Sequence, residues 1–447
     1  MLPGIKLWDI IGLFEKLTAT DLEPVFVHSL DVAKLSAAMA RIMGLNPTDA
    51  YIGGLFHDIG VAVYSRLIER KHGCRDGLAN TIKINWGQVS FDFSALVMDI
   101  DKDNIHSLIS YLLLKQLDLV PESVLGGVLY HHTCKSPDVP PESEKIAQIF
   151  CVADDISQVY RKYLFDCPSL SYSNLVDLLN SLPFKGIDED VVDAAWKVVR
   201  SEMCMSYIFD HFGYPGRFGV RNIGVGFSRL TDLFRILVIL TDMRSEFTRY
   251  HSIQIAMLAR DLTLEMLRTD RDAESLYLAG LVHDIGKMKI PINILHKPGE
   301  LTVSERALMR THVVETFKML EGLTGINEVV RIAAAHHERL DGSGYPLGLT
   351  AEDMPLKARI LQVADVFVAL TENRPYRTGI GCDSVLGFLW DLVSDFKVDG
   401  YVVETLDRMI RAGYEISLEE DPVNIFFTFA SEDEVISYVK KEVFGIG

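Results

Sequence analysis

The chain has 447 residues, a length that predicts two or three domains. Its content of apolar residues (48%) and charged residues (24%) is typical of globular proteins and excludes wholesale disorder. Because 62 acidic residues outnumber 44 basic ones, the net charge of −18 disfavours binding to long nucleic acids, whereas a small anionic ligand needs only a local cluster of positive charge.

Three features of the sequence bear on where the protein acts. No apolar run approaches the roughly 18–20 residues that a membrane helix requires, so no membrane-spanning segment is expected. The N-terminal segment MLPGIKLWDIIGLFEKL carries charges through its apolar stretch, unlike a signal peptide. The six cysteines are scattered and form no CxxC pair, which favours reduced thiols over a disulfide framework. We therefore expect a cytoplasmic protein.

A histidine motif occurs twice along the chain. Residues 51–60 read YIGGLFHDIG and residues 277–286 read YLAGLVHDIG. In each half one His precedes the motif and one follows it, and an adjacent His pair and a Val-Ala-Asp sequence come next. The first series is His28, His57, Asp58, His106, His131, His132 and Asp154, and the second is His251, His283, Asp284, His312, His336, His337 and Asp365. Such a repeat predicts two copies of one structural unit.

The surroundings of these residues predict helices. Apolar residues recur at helical spacing after the first His of each series, which places that His on the buried face of an amphipathic helix. The first stripe is His28, Val32, Leu35, Met39 and Ile42, and the second is His251, Ile255, Leu258, Leu262 and Met266. Thr302 and Glu305 form a capping box before the helix that carries His312, and Asp399 is expected to cap a final helix that ends at Gly413.

A Gly-rich segment separates the two halves, which differ in one spacing. The first half has an extra polar stretch at residues 71–93, which predicts a loop. Residues 211–226 hold five Gly and one Pro, a composition that suits a turn-rich connector. We therefore predict a mostly α fold of two tandem helical bundles, with a first domain at 1–200, a linker at 201–230, a second domain at 231–413 and a tail of no predicted role at 414–447.

The second series suits a site for two metal ions. Imidazole and carboxylate bind divalent metals such as Fe, Mn, Zn and Ni, and seven ligands exceed what one tetrahedral Zn takes. His283 and Asp284 would point about 100° apart on a helix, so Asp284 is expected to bridge two ions while His283 holds one. The pair His336–His337 can converge if it lies at a helix end. Two-metal sites serve in-line displacement at phosphorus.

Each of these residues also has a purely structural interpretation. A lone His on an apolar face is usually a hydrogen-bonded core residue. Lys287, one turn after His283, can face the same pocket and meet phosphoryl charge, but by itself it can equally be a solvated Lys at a helix end. The ordered series, found twice and closed each time by Val-Ala-Asp, argues against the structural interpretation for the second half.

Three motifs of the second half carry a resemblance to a known family. The segments HDIGKMKIPINILHKPGELT, HHERLDGSGYP and ADVFVALTENRPYR, within about residues 240–413, resemble the HD-GYP family of the HD phosphohydrolase superfamily. Members are bacterial phosphodiesterases that act on cyclic dinucleotides, chiefly cyclic di-GMP, with some preferring 3′,3′-cyclic GMP-AMP. The resemblance implies HD-type helical bundles and identifies the second series as the ligands of two metals, with Asp284 as the bridge.

The resemblance also implies which residues meet the substrate. It implies substrate contacts by Lys287, Gly344, Tyr345, Pro346, Arg374 and Arg377. In the family the Lys contacts the scissile phosphate, the Gly-Tyr-Pro loop lies at the edge of the site, and the two Arg positions lie beside the phosphates and bases. Guanidinium groups can stack on guanine and fork onto phosphate, which agrees with the last of these roles.

Some positions depart from the family pattern. Some members bind a third metal through a Glu one helical turn before the first His, but Phe247 stands there, so two metals are expected. Iron or manganese is favoured, with zinc or nickel as alternatives. Val368 stands where the family often has Asp, which can alter a contact behind the ligands and the substrate preference. A second Gly-Tyr-Pro, at 213–215, has no HHE context and is interpreted as chance.

The first half resembles an HD domain that lacks part of this machinery. Val61 replaces the Lys after HDIG, HHTCKSPDVP replaces HHERLDGSGYP, and no RPYR follows Asp154. Its series is a candidate second metal cluster, and we predict a non-catalytic regulatory or dimerising module. The alternatives are a site for another phosphate substrate, such as a linear dinucleotide or a mononucleotide, and a relic without metal.

The sequence therefore predicts a metal-dependent phosphodiesterase that converts a 3′,5′-cyclic dinucleotide to its linear 5′-phosphorylated form. A homodimer is considered, whereas long nucleic acid and membrane are not expected as partners. One alternative is a receptor that binds cyclic dinucleotides without cleaving them, although Lys287 and the complete ligand series argue for cleavage. Another is a phosphohydrolase for mononucleotides, which the HHERLDGSGYP loop disfavours. Cyclic di-GMP and cyclic GMP-AMP both remain candidate substrates.

Overall fold

The computed structural model of the chain is helical. It describes residues 5–17, 23–61, 105–116, 120–133, 139–166, most of 176–201, 208, 215–242, 251–297, 299–372 and 379–416. Within these ranges no β-strand forms, and extended pairing is limited to two isolated bridges, Lys6–Gly224 and Asp341–Thr350. No helix in the same ranges is both long and apolar enough to cross a membrane. The predicted mostly α fold is confirmed.

Seven helices lie before residue 200 in the described parts of the chain. They are α1 (Leu7–Leu17), α2 (Glu23–Ile42), α3 (Pro47–Phe56), α4 (Ile105–Gln116), α5 (Glu122–Leu129), α6 (Pro141–Asp166) and α7 (Glu189–Val199). Within this half, α2 packs against both α3 and α6, and α5 packs against α6. The histidines of the first series therefore come from helices that pack against one another.

Nine further helices are described after residue 220. They are α8 (Phe227–Asp242), α9 (His251–Leu267), α10 (Asp270–Val282), α11 (Ile292–Leu295), α12 (Val303–Leu320), α13 (Asn327–Ala333), α14 (Leu356–Thr371), α15 (Cys382–Ser394) and α16 (Gly400–Arg411). A 3-10 turn (Ile285–Lys289) follows α10. Helix α9 packs on α10 and α14, and α12 packs on the 3-10 turn, so these elements surround one common interior.

The chain forms two compact units, which divide after Ile223. We call the unit before this point amino-terminal and the unit after it carboxy-terminal. Residues 5–13 group with the carboxy-terminal unit, whereas the predicted first domain included them. The reason is a local pairing in which the backbone N–H of Val225 donates to the carbonyl of Ile5 at 2.8 Å.

A repeated glycine sets the spacing of one helix pair in each unit. A Cβ atom at Gly280 in α10 would lie 2.5 Å from the Cα of Ala256 in α9. A Cβ atom at Gly54 in α3 would likewise lie 2.9 Å from the Cα of Ala33 in α2. Because the obstructing atoms belong to the backbone, each crossing needs a residue without a side chain. The repeated sequence thus builds the same close helix pair twice, and each pair carries the first His and the HDIG motif.

The glycine of each HDIG motif holds its turn against the helix that carries the next His. The backbone N–H of Gly286 donates to Thr316 Oγ1 at 3.0 Å, and that of Gly60 donates to Ser110 Oγ at 2.9 Å. A Cβ atom at Gly286 would lie only 1.9 Å from the carbonyl oxygen of His312. The backbone of the motif can therefore approach the neighbouring helix only where the residue is glycine.

The helix ends confirm two predicted caps and correct the predicted burial of one residue. The capping box of Thr302 and Glu305 is present at the start of α12. Asp399 caps α16 by accepting hydrogen bonds from two backbone N–H groups. The stripe predicted from His28 is buried except for Ile42, which is 43% exposed because it is the last residue of α2.

The structure describes only part of the predicted linker and tail. A 3-10 turn (Pro215–Phe218) is followed by Gly219 with φ +85°, a left-handed conformation that favours glycine. The polar stretch at 71–93 and the tail beyond residue 416 lie outside the described residues. In the segment before residue 417, the Tyr414 hydroxyl donates to Asp261 Oδ2 at 2.7 Å.

Candidate metal centre

The seven side chains of the second series meet inside the carboxy-terminal unit. His251 begins α9, His283 and Asp284 follow α10, His312 lies in α12, His336 and His337 follow α13, and Asp365 lies in α14. Six of the seven are buried, and the His337 side chain is 31% exposed. The adjacent pair lies beyond a helix end, which is where the sequence analysis required it to be.

The two oxygens of Asp284 face different histidines. Oδ2 lies 3.2 Å from His283 Nε2 and 3.9 Å from His251 Nε2. Oδ1 lies 3.3 Å from His312 Nε2 and 3.8 Å from His336 Nε2. A carboxylate with two imidazole nitrogens near each oxygen has the arrangement that a bridge between two cations requires. His283 and Asp284 both follow Val282, the last residue of α10.

Asp365 completes the cluster on its other side. Its Oδ1 lies 3.5 Å from His251 Nε2, and its Oδ2 lies 3.8 Å from His337 Nδ1. Three groups have ligand atoms within 4.8 Å of one another, namely His251/His283/Asp365, His283/Asp284/His336 and His312/His336/His337. The described residues thus contain overlapping groups of His and Asp that can hold metal ions.

Backbone carbonyls orient three of the imidazoles. His283 Nδ1 lies 2.7 Å from the Gly280 oxygen, His312 Nδ1 lies 2.6 Å from the Met309 oxygen, and His336 Nδ1 lies 2.7 Å from the Ala333 oxygen. A carbonyl can only accept a hydrogen bond, so Nδ1 must carry the proton in each ring. In the neutral ring this leaves Nε2 with a free lone pair, and all three Nε2 atoms face Asp284.

Two buried polar atoms at the centre have no hydrogen-bond partner. They are His283 Nε2 and Asp284 Oδ1. An unpartnered buried polar atom costs roughly 1–3 kcal/mol, so such atoms are rare unless a ligand satisfies them. Both atoms are metal-ligating types and both point into the cluster. This donor set therefore fits divalent metal ions.

Burial and neighbouring charges set the ionisation of the cluster. Burial lowers the pKa of His312 to about 4, which keeps its ring neutral at pH 7. Burial opposes ionisation of Asp284, yet Lys287 and His283 hold the pKa of this carboxyl well below its usual range. Neutral imidazole and ionised carboxylate are the forms that bind metals.

Lys287 lies against the central carboxylate. Its Nζ forms an ion pair with Asp284 Oδ2, and its side chain is 22% exposed. Lys287 lies in the 3-10 turn that begins at Ile285, the third residue of HDIG. A cation at the partly open side of the cluster can meet a negatively charged ligand, as the sequence analysis expected.

The loop that contains Gly344, Tyr345 and Pro346 lies at the edge of the cluster. The Tyr345 ring lies 4.8 Å from the His337 ring between centroids, and the guanidinium carbon of Arg310 lies 4.9 Å from the Tyr345 centroid. The Tyr345–Pro346 peptide bond is cis. Tyr345 is therefore a neighbour of both an imidazole of the cluster and an exposed arginine.

A buried glutamate fixes this loop. Glu338 is 1% exposed, and its carboxylate accepts hydrogen bonds from the backbone N–H groups of Leu347 (2.6 Å) and Leu349 (2.9 Å). Gln362 Nε2 donates to the Glu338 carbonyl at 2.6 Å. A Cβ atom at Gly344 would lie 2.4 Å from the Cα of Glu338, so the loop packs directly on the backbone of the HHE sequence.

Comparisons with known proteins agree with this geometry. HD domain patterns match residues 235–402 and, separately, residues 25–158. A 3′3′-cGAMP-specific phosphodiesterase of Vibrio cholerae is 31% identical over 315 residues, which cover 66% of this chain and 72% of that protein. The chain belongs to the HD-GYP family. A cyclic di-GMP phosphodiesterase of Pseudomonas aeruginosa is 42% identical to the HD-GYP chain over 135 residues, which cover 30% of this chain and 33% of that protein.

A solved structure shows a similar fold. The crystal structure of a cyclic GMP-AMP specific phosphodiesterase of V. cholerae matches this chain with a TM-score of 0.56 at 18% identity. The match covers 92% of this chain and 100% of the V. cholerae chain. The two tandem HD-type bundles predicted from the sequence are thereby confirmed as a fold class.

Three residues that support the site in this HD-GYP chain were not predicted from the sequence. Glu372 holds His251, Glu338 holds the loop, and Arg310 stacks on Tyr345. Val368, which stands where the family often has Asp, indicated that another residue could support the ligands, and Glu372 does so. Glu338 is the Glu of the HHE sequence, which could have drawn attention to it. Arg310 gave none, because an exposed arginine on a helix is usually solvated.

Some predicted positions of the HD-GYP chain fall in segments that the structure does not describe. Arg374, Arg377 and Phe247 lie outside the described residues. In the second Gly-Tyr-Pro, only Pro215 is described, within a 3-10 turn.

The first series also comes together, in the amino-terminal unit. Two groups have ligand atoms within 4.8 Å of one another, Asp58/His106/His131/His132 and His28/His57/Asp154. All seven residues of the candidate second cluster are therefore neighbours.

Proposed function

We propose that this chain hydrolyses a 3′,5′-cyclic dinucleotide, either cyclic di-GMP or 3′,3′-cyclic GMP-AMP, to the linear 5′-phosphorylated dinucleotide. The observation that carries the proposal is the carboxylate of Asp284, which faces two pairs of imidazoles and also pairs with Lys287. The names of the relatives, all phosphodiesterases of cyclic dinucleotides, support the substrate class.

Two divalent metals are the cofactors that this donor set favours. Asp284 would bridge them, with His251, His283 and Asp365 on one side and His312, His336 and His337 on the other. Two metals at such a site supply Lewis-acid activation of a phosphodiester and a nucleophile at neutral pH. Five imidazoles with two carboxylates suit iron or manganese, and zinc or nickel are alternatives.

The reaction adds water across one phosphodiester bond of the ring. The bond between phosphorus and O3′ breaks, the phosphate stays on O5′, and the departing O3′ takes a proton. The protein must therefore hold the phosphate and balance the negative charge that accumulates on its oxygens. Lys287 supplies a hydrogen-bonding cation at the bridging carboxylate, where the scissile phosphate would lie.

The loop beside the cluster supports a ligand with flat, anionic parts. Tyr345 offers an aromatic face, and Arg310 offers a guanidinium group over the same ring. Bases stack on such faces, and guanidinium groups pair with phosphates. Arg374 and Arg377 remain proposed contacts to the phosphates and bases.

A receptor that binds the same ligand without cleaving it is the alternative. A receptor needs neither unpartnered imidazole nitrogens nor a lysine on the bridging carboxylate. Both features are present here, so we favour the enzyme. The regulatory or dimerising role of the amino-terminal unit stays a prediction.

Direct product analysis tests the proposal. The full chain, reconstituted with Fe²⁺ or Mn²⁺ under reducing conditions, is incubated with each cyclic dinucleotide, and the metal content is measured on the same sample. We expect a linear 5′-phosphorylated dinucleotide from at least one substrate, and loss of both metal and turnover in Asp284→Ala. Binding without product would support the receptor, and full turnover by Asp284→Ala would overturn the metal mechanism.

A further inference from the structure

We propose that the amino-terminal unit holds a second centre for two divalent transition-metal ions, built from the first series and bridged by Asp58. Nothing in the hydrolysis proposed above requires it. The residues are His28, His57, Asp58, His106, His131, His132 and Asp154, and the two groups that they form each have ligand atoms within 4.8 Å of one another. All seven residues belong to the amino-terminal unit.

The oxygens of Asp58 face the histidines in the same order as those of Asp284. Oδ2 lies 3.5 Å from His57 Nε2 and 3.8 Å from His28 Nε2. Oδ1 lies 3.4 Å from His106 Nε2 and 3.5 Å from His131 Nε2. In each unit the His of HDIG and the His that precedes the motif lie near one carboxylate oxygen. Two histidines from later in the series lie near the other oxygen. The arrangement needed for a bridge is therefore present in both units.

Three buried atoms in this cluster have no hydrogen-bond partner. They are His57 Nε2, Asp58 Oδ1 and His131 Nε2, and both imidazole side chains are 0% exposed. Leaving three such atoms unsatisfied would cost several kcal/mol at about 1–3 kcal/mol each. His57 Nε2 lies beside Asp58 Oδ2 and His131 Nε2 lies beside Asp58 Oδ1, so a cation at each oxygen of this carboxylate would satisfy these atoms.

The imidazoles present their lone pairs to this interior. His57 Nδ1 lies 2.8 Å from the Gly54 oxygen, and His131 Nδ1 lies 2.7 Å from the Val128 oxygen. Because a carbonyl only accepts, Nδ1 carries the proton in both rings and Nε2 faces Asp58 as an acceptor. These contacts repeat those of the corresponding histidines in the other unit.

The remaining carboxylate is also held in place. Asp154 Oδ1 lies 2.9 Å from His28 Nε2, and Gln158 Nε2 donates to both Asp154 oxygens at 2.9 and 3.0 Å. On the far side of its ring, His28 Nδ1 lies 2.9 Å from Ser157 Oγ. Contacts behind the ligands that fix their orientation are typical of metal sites and are not needed by a relic.

The centre differs from the catalytic candidate in one respect. Val61 stands three residues after Asp58, where Lys287 stands three residues after Asp284. The Asp58 side chain is 19% exposed, compared with 4% for Asp284. Val61 therefore supplies no ammonium group that could contact a phosphoryl oxygen at the cluster. We assign the centre to metal binding that stabilises the unit, because a ligand that binds only the folded state raises its stability.

Metal content in matched variants tests the proposal. Tag-free full-length protein is reconstituted with Fe²⁺ in the absence of oxygen and desalted, and iron per chain is measured. The variants are Asp58→Ala, Asp284→Ala and the double variant, and Asp155→Asn, an exposed carboxylate beside Asp154, is the control. We expect each single variant to lose about half of the wild-type iron, the double variant to lose nearly all of it, and the control to lose none.

A second measurement covers the case in which Asp58→Ala does not fold. Asp284→Ala leaves the amino-terminal cluster intact, so this variant should still take up Fe²⁺, and its Tm should rise when the metal is added. The proposal is overturned if Asp284→Ala holds no more iron than the double variant, or if folded Asp58→Ala holds as much iron as the wild type. Failure of the hydrolysis proposal would instead appear as absent product from wild-type protein with iron bound.

Discussion

Glu372 Oε2 lies 3.0 Å from His251 Nδ1 and so holds the back of an imidazole whose Nε2 faces the candidate metal centre. In the amino-terminal unit the equivalent His28 contacts Ser157, three residues after Asp154. Val368 stands three residues after Asp365, and its side chain cannot accept a hydrogen bond. Glu372, four residues after Val368, accepts the hydrogen bond from His251 Nδ1 instead.

The Glu372→Ala variant should bind metal more weakly and turn over more slowly. Losing a partner behind a metal-ligating histidine typically reduces metal affinity or activity about 10–100-fold. We expect Glu372→Gln to retain most of both, because its amide oxygen can still accept from Nδ1. Competition with a metal chelator and the rate of hydrolysis, measured on the same protein, check these outcomes.

Restoring an acceptor elsewhere provides the control. Val368→Ser in the Glu372→Ala background places a hydroxyl where Ser157 stands in the other unit, and it should recover part of the lost affinity. Unchanged metal affinity in Glu372→Ala would show that the contact has no role in holding His251.

Removing Lys287 should separate metal binding from catalysis. Lys287→Ala leaves all seven candidate ligands in place, so its metal content should equal that of the wild type. The loss of a preorganised cation at the scissile phosphate should lower kcat by about 10²–10³-fold. Metal analysis and steady-state kinetics on one preparation check both parts.

Lys289→Ala is the matched control for this prediction. It removes the same charge from the same 3-10 turn without touching Asp284. Equal losses of kcat in the two variants would indicate a general effect of charge, and the direct role of Lys287 would have to be abandoned.

The ligand series could be predicted because its chemistry is carried by residue types in a fixed order. His and Asp at these intervals have few other reasons to recur twice, and both units bring them together as expected. The contacts behind the ligands could not be predicted in this way. Glu372 is 121 positions from His251, and only the packing of α14 on α9 brings them together.

The same limit applies to the loop and to the domain boundary. Glu338 binds backbone N–H groups 9 and 11 residues later, and a loop conformation that sequence periodicity does not encode determines this contact. The helices, by contrast, follow from local signals such as the capping box at Thr302. The grouping of residues 5–13 with the carboxy-terminal unit involves a backbone pairing of Ile5 with Val225, for which side chains give no signal.

Arg310 should contribute to the affinity for an anionic dinucleotide. Its guanidinium group lies over Tyr345 beside the cluster, so Arg310→Ala removes both a positive charge and a stacking partner. We expect kcat/KM to fall about 2- to 30-fold, the equivalent of about 0.5–2 kcal/mol, with no change in metal content. Tyr345→Phe keeps the ring and should behave like the wild type, whereas Tyr345→Ala should resemble Arg310→Ala.

Arg306→Ala is the control for Arg310. Arg306 is exposed one turn earlier on the same helix, and its guanidinium donates to the Leu301 carbonyl rather than lying over Tyr345. An equal fall in kcat/KM for both arginine variants would mean that net charge alone accounts for the effect.

The start of α12, which carries His312, should weaken as the pH falls. Hydrogen bonds from Lys297 and from the Thr302 backbone and side chain lower the pKa of Glu305 to about 2, compared with an ordinary value of 4.5. The folded-state pKa is lower than the unfolded-state pKa. The stabilising effect of the Glu305 carboxylate is therefore complete above about pH 4.5 and is lost as the pH falls towards 2. The difference in Tm between wild type and Glu305→Gln should therefore be larger at pH 7 than at pH 4. Thr302→Ala, which removes an uncharged acceptor worth about 0.5–2 kcal/mol, should lower the Tm at both pH values. A Glu305→Gln deficit that stays constant from pH 7 to pH 4 would contradict the assignment.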